Sequence, residues 1–185
     1  MDGSPFSSDA FISTPLRTNA GWSTVLVGTL GLGGKGFFVL DVTDPADFTV
    51  NNVSKLVILD KTDTLGGSKD KDIGVITSPP VIDDAVPTKT RQVVKMNNDR
   101  WAVVVGNGYN SSNEAPVLLI QFLDGQKELV KISPCATPID TTNCTFKGSN
   151  GLSGPRLVDL NADGKMDVAY AGDLTGNMWK FSLGS

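Results

Sequence analysis

Apolar residues along the chain come in short runs, each ended by Gly, Pro, Asp or Asn. Three stretches repeat one order: a Ser/Thr and Pro turn, an apolar segment, a run ending in Gly, and a returning run. The turns are ISTPL at 12–16, ITSPPVIDD at 76–84 and LSGPRLVDL at 152–160. The runs to Gly are WSTVLVG at 22–28, WAVVVGNG at 101–108 and DVAYAGD at 167–173, and the returning runs are GFFVLDV at 36–42, PVLLIQFLDG at 116–125 and GNMWKFSL at 176–183. Short runs between turn residues predict strands. Runs as continuously apolar as AVVVG and VLLIQF suit strands covered on both faces, as in stacked blades, although sandwich strands look similar. No window predicts a long amphipathic helix, and TVNNVSKLVILD at 49–60 reads as a loop entering the strand KLVILD.

The expected fold is all-β: a partial or modified β-propeller built of repeated antiparallel hairpins. It forms a single domain over 1–185 with units near 12–42, 76–125 and 152–183. An immunoglobulin-like or jelly-roll sandwich also accommodates short strands, but does not predict the threefold order. A doubly wound parallel sheet needs helices that the chain does not offer. At about 40–45 residues per compact blade, 185 residues suffice for about four blades, of which three repeats are legible.

Composition agrees. The acidic residues are almost all Asp, with Glu only at 114 and 128, and there are 20 Gly and 10 Pro. Asp, Gly and Pro favour turns and caps over helix interiors. The net charge of -4 argues against a general nucleic-acid or anionic-membrane binder, and no apolar run is long enough to span a bilayer. The opening MDGSPFSSDAF lacks the basic region and apolar run of a signal peptide. With no histidine, Ser-His-Asp catalysis and histidine-ligated metals are excluded. No carboxylate pair stands out for hydrolase chemistry, so no enzyme is expected. GTLGLGGKGFF at 28–38 lacks the G-K-[ST] of a phosphate loop and reads as a hairpin connection. Trp22, Trp101 and Trp179 occupy comparable edges of the units and read as core or inter-blade packing, with a sugar-stacking platform as the minor alternative. Cys135 and Cys144 stand in a Pro-, Thr- and Asn-rich loop, where a disulfide in an oxidising compartment is favoured over two reduced thiols.

One motif carries chemistry. DLNADGKMD at 159–167 is D-x-N-x-D-G-x-x-D, the first nine positions of a calcium loop. Asp159, Asn161 and Asp163 would supply side-chain oxygens, Lys165 its carbonyl, and Asp167 an oxygen directly or through water, with Gly164 allowing the turn. The twelfth position, where an EF-hand needs a bidentate Glu, is Tyr170, and the flanks read as strands. The loop is therefore EF-hand-like without the flanking helices, and one or two ligands short; Asp173 is a candidate by charge only. The competing reading is an Asp- and Asn-rich turn that binds nothing.

The stretches GWSTVLVGTLGLGGKGFFVLDVTDP at 21–45, RWAVVVGNGYNS at 100–111 and GPRLVDLNADGKMDVAYAGDLTGNMWKFSL at 154–183 resemble one family in its own order. It is the C-terminal β-propeller domain of the PilY1/PilC family, type IV pilus biogenesis factors and tip-associated adhesins. The resemblance implies Ca2+ as the cofactor, held by Asp159, Asn161, Asp163, Lys165 and Asp167. It also implies pilus components as partners, and host or abiotic surfaces beyond them. The implied location is extracytoplasmic, on the cell surface or pilus, with outer-membrane or periplasmic association during assembly. In the family, calcium occupancy accompanies pilus extension and retraction, hence twitching motility and attachment. The alternative is a carbohydrate- or protein-binding β module whose calcium is purely structural.

Overall fold

The structure, a computed structural model, describes residues 2–62, 70–83, 85–86, 90–134 and 150–184. The first sheet is a meander of β1 (Phe6–Ile12), β2 (Gly21–Thr29), β3 (Phe37–Asp41) and β4 (Val57–Asp60), each antiparallel to the next. The second contains β5 (Val93–Met96), β6 (Trp101–Gly106), β7 (Leu118–Phe122) and β8 (Leu129–Ile132), again antiparallel in chain order. The third holds β9 (Arg156–Val158), β11 (Val168–Gly172) and β12 (Met178–Ser182), with β11 in the middle. Between β9 and β11 a two-residue strand, β10 (Lys165–Met166), pairs in parallel with β5 of the second sheet.

The expected all-β class, built of antiparallel hairpins, is what the described residues adopt. Each repeated unit contributes most of its strands to one sheet of its own.

The second sheet lies between the other two, and the core is split across its faces. Val93, Val103, Val105 and Leu119 pack in one cluster with Ile12, Val25, Val27, Phe37 and Val39 of the first sheet. Val94, Ala102, Val104, Leu118 and Ile120 pack in another with Leu157, Ala169, Ala171 and Phe181 of the third. Successive side chains of a strand point to opposite faces, so a strand with a core on each side must be apolar at every position. That accounts for the unbroken runs in β6 and β7, whose residues from Ala102 to Gly106 and Leu118 to Phe122 are all buried. In β2, by contrast, Ser23, Val25 and Val27 are buried while Trp22, Thr24 and Leu26 are not, the alternation of a strand with one covered face.

Several expectations are corrected. The expectation of a partial or modified propeller is met only as far as its antiparallel hairpin sheets, which form no closed ring among the described residues. The Pro turns are not equivalent: Pro15 follows β1, Pro80 lies in an irregular stretch well before β5, and only Pro155 directly precedes its strand, β9. The strand read as KLVILD begins at Val57, because Val53–Leu56 forms one helical turn, α1, continuing a 3-10 turn at Val50–Asn52. The Cys135–Cys144 pairing lies outside the described residues.

Candidate metal loop

The motif at 159–167 connects β9 to β11, and its ends are drawn together where the Asp167 amide donates to the Val158 carbonyl at 3.0 Å. Asp159 organises the turn. Its Oδ1 accepts from the amides of Ala162 at 2.7 Å and Asp163 at 3.3 Å, and its Oδ2 from Gly164 at 2.7 Å. Asn161 Oδ1 accepts from the Asp163 amide at 3.0 Å, and Asp163 Oδ1 from the Lys165 amide at 2.9 Å. Short Asx side chains bonding to the backbone two residues on wind a chain this tightly. Ala162 and Gly164 both take left-handed conformations, with φ of 62° and 83°. Desolvation pushes the Asp159 pKa upward, but the amides of Gly164, Ala162 and Asp163 outweigh it and hold the carboxyl below its usual range.

Asp167 is oriented from two sides. Its Oδ2 accepts from the Leu160 amide at 2.8 Å, and its Oδ1 from the Asn97 carboxamide at 3.2 Å. The ammonium of Lys165 turns to Asp99 at 2.9 Å, and Lys95 reaches the same Asp99 oxygen at 2.8 Å. Hydrogen bonds from Lys95 and then Lys165 bring the Asp99 pKa down to about 2. Asn97 and Asp99 belong to the β5–β6 turn, and the sequence reading missed both. MNNDR reads as an ordinary hairpin turn, and nothing local to it points to a partner about 70 residues later.

Among the described residues, no three His, Cys, Asp or Glu side chains converge as a metal site. The flanks are strands, as expected, but the side-chain oxygens are turned to backbone amides, so no EF-hand loop is formed among the described residues. The donor chemistry nevertheless suits a hard cation. An ionised carboxylate has about four lone-pair directions, of which the amides use three at Asp159 and one at Asp163. Among the described residues, no Lys or Arg forms a salt bridge with Asp159, Asp163 or Asp167. Lys165 acts on Asp163 through space without a salt bridge, and the rest of their negative charge faces solvent.

Asp173 is not the missing ligand. It follows the far end of β11, six positions from the loop's end at Asp167 and about 20 Å along an extended strand. Its carboxylate organises another turn, accepting from Asn177, Thr175, Asn150 and Trp179 Nε1, the last at 2.8 Å. Burial opposes its ionisation, but the bonds from Asn177 and Trp179 prevail and depress the pKa. The three tryptophans also differ in surroundings. Trp179 caps this turn and Trp101 packs at the edge of the first core. Trp22 is 64% exposed and meets Phe11 and Trp101 edge to face, each at 5.7 Å between ring centroids.

Antiparallel sheets stacked on both faces of a shared central sheet, with an Asp-rich loop joining two strands, define a repeat-built β module. The chain belongs to the family described as the PilY1 beta-propeller domain, which matches residues 1–185. It is 39% identical over 183 residues to the type IV pilus biogenesis factor PilY1 of Pseudomonas aeruginosa, covering 99% of this chain and 13% of that protein. A PilY1 homolog of Xylella fastidiosa is 34% identical over 184 residues, covering 99% of this chain and 11% of the relative. The crystal structure of the P. aeruginosa PilY1 C-terminal domain aligns with a TM-score of 0.67 at 36% identity, over 98% of this chain and 30% of that one. The chain thus spans only a small part of the relatives it matches. The family is one of pilus biogenesis factors rather than of enzymes, and among the described residues no helix is long and apolar enough to cross a membrane.

Proposed function

We propose that this chain is a calcium-binding module of a type IV pilus assembly factor and adhesin, and that its sheets are blades of a modified propeller. It acts outside the cytoplasm with pilus components, and calcium occupancy of the loop bears on pilus extension and retraction, twitching and surface attachment. Family membership supports the pilus role. The observation that carries the metal role is the concentration of Asp159, Asp163 and Asp167 in nine residues with no described cation paired to them.

Asp159, Asn161 and Asp163 would hold the ion through side-chain oxygens, Lys165 through its carbonyl, and Asp167 directly or through water. Further water would complete the six to eight oxygens that calcium takes at about 2.3–2.6 Å. A bound Ca2+ supplies charge, offsetting two of the three negative charges that the tight turn otherwise forces together. Magnesium fits less well, since it demands stricter octahedral geometry and keeps its waters.

Asp159→Ala removes both the first ligand and the anchor of the turn while leaving the strands intact. The expected outcome is calcium binding by the wild type in calorimetric titration, its loss in Asp159→Ala, a preserved β-type circular dichroism spectrum, and altered counts of surface pili and twitching zones. Unchanged affinity would reject the coordination scheme; lost affinity with normal pili would make the metal structural. A second reading, a carbohydrate- or protein-binding module with structural calcium, draws on the exposed Trp22, which lines an open groove of about 640 Å³ with Ser7, Asp9, Thr24 and Trp101.

A further inference from the structure

The loop does not stand alone in the fold. β10 lies parallel to β5 with Lys165 opposite Lys95 and Met166 opposite Met96. Asp167 and Asn97 each follow one position beyond the last paired residues. The Asn97 carboxamide nitrogen donates to the Met166 carbonyl at 3.1 Å and to Asp167 Oδ1 at 3.2 Å, so both of its hydrogens are spent on the end of the loop. With Leu160 holding Oδ2 at 2.8 Å, the two oxygens of Asp167 are fixed by one donor from the loop itself and one from the β5–β6 turn.

We propose that Asn97 is a positioning residue for the ninth-position carboxylate, and that the β5–β6 turn is the supporting half of the metal site. The inference rests on reading the loop as a calcium site, and adds that the ion's hold is set from the neighbouring sheet.

The turn is built for this. Met96 and Arg100 close it through an amide-to-carbonyl bond of 2.8 Å, and Asp99, at φ 63°, supplies the left-handed residue that finishes a three-residue hairpin loop. Asp99 then binds the ammonium groups of Lys95 and Lys165 together. This pulls the cationic end of Lys165 off the loop while its backbone stays paired with β5, so a carbonyl at that position can serve a metal without its side chain repelling it. Because the Asp167 carboxylate is held by the β5–β6 turn and the Lys165 backbone is paired with β5, ion binding and the docking of β10 on β5 reinforce one another. Release of the ion loosens the seam between the second and third sheets.

Residues that orient metal ligands from outside the coordination sphere typically change affinity about 10- to 100-fold when replaced. The test is calorimetric titration of the intact protein with Ca2+, together with hydrogen exchange of the amides at 96–100 with and without the metal. Asn97→Leu keeps most of the side-chain volume and removes the donors. It is expected to weaken calcium binding about 10-fold or more, to leave the metal-free melting temperature near that of the wild type, and to abolish calcium-induced protection at 96–100. Asp99→Asn, which keeps Asn97 and slackens the hold on Lys165, is expected to weaken binding several-fold and to reduce the same protection. Wild-type affinity in both variants, or no calcium-induced protection at 96–100 in the wild type, overturns the positioning role while leaving the loop a calcium site. A wild type that binds no calcium overturns the site and this role with it.

Discussion

At Gly164 the backbone sits at φ 83°, and a methyl group added there would meet no atom within 4 Å. Space is free, so a side chain is opposed only by the conformation. The left-handed region costs an L-residue about 1–2 kcal/mol. Gly164→Ala is therefore expected to lower stability by about 1 kcal/mol and to leave the core packing unchanged, as read by urea denaturation with an unaltered slope. Ala162 already bears such a conformation at φ 62°, which the bond from its amide to Asp159 helps to hold. This level of the loop was legible in the sequence, since D-x-N-x-D-G encodes Asx turns and a glycine reversal through contacts only two to five residues long. The tryptophans were not legible in the same way. Their strand-edge positions are alike, but what each indole touches depends on residues far along the chain.

Among elements, the β7–β8 hairpin shows how a surface turn is tied to a strand. Arg100, just before β6, pairs with Asp124 at 2.7 Å and with Glu128, and its guanidinium lies over the Phe122 ring at 4.1 Å. The hydrogen bond from Arg100 brings the Glu128 pKa down to about 2. A carboxyl with a folded value below its unfolded one stabilises the fold above the unfolded value, near 4.3, and loses that contribution as pH falls through the folded value. Wild type is thus expected to exceed Glu128→Gln in stability at pH 7, with the gap closing between pH about 4.5 and about 2. Thermal melts of both proteins across that range check it; a gap as large at pH 2 as at pH 7 rejects the ion pair as its source. The strands themselves were largely legible, because runs such as WAVVVG and VLLIQF declare both their period and their burial. The helical turn at Val53–Leu56 was not, since four residues are too few to show a helical period.

For the molecule as a whole, the shared central sheet determines how damage spreads. Leu119 and Ile120 are neighbours in β7, yet Leu119 belongs to the core with the first sheet and Ile120 to the core with the third. Leu119→Ala and Ile120→Ala are each expected to cost about 2–5 kcal/mol, measured as the shift in denaturant midpoint at constant slope. A sheet covered on one face would instead show a large cost at one position and a change within about 0.5 kcal/mol at the other.

The sequence by itself determined what short-range physics controls: an all-β chain, the approximate course of most strands, and an Asp-rich loop wound by its own side chains. Turn residues, alternation and Asx bonding act over a few positions, so they can be read without knowing what lies across the fold. Only the tertiary structure decided that the Pro turns hold different places and that β10 leaves its own sheet for β5. It also placed Asn97 beside Asp167 and committed Asp173 to a separate turn. Each of these depends on register and stacking between segments tens of residues apart, where a shift of one residue reverses every side chain, and no local pattern encodes that choice.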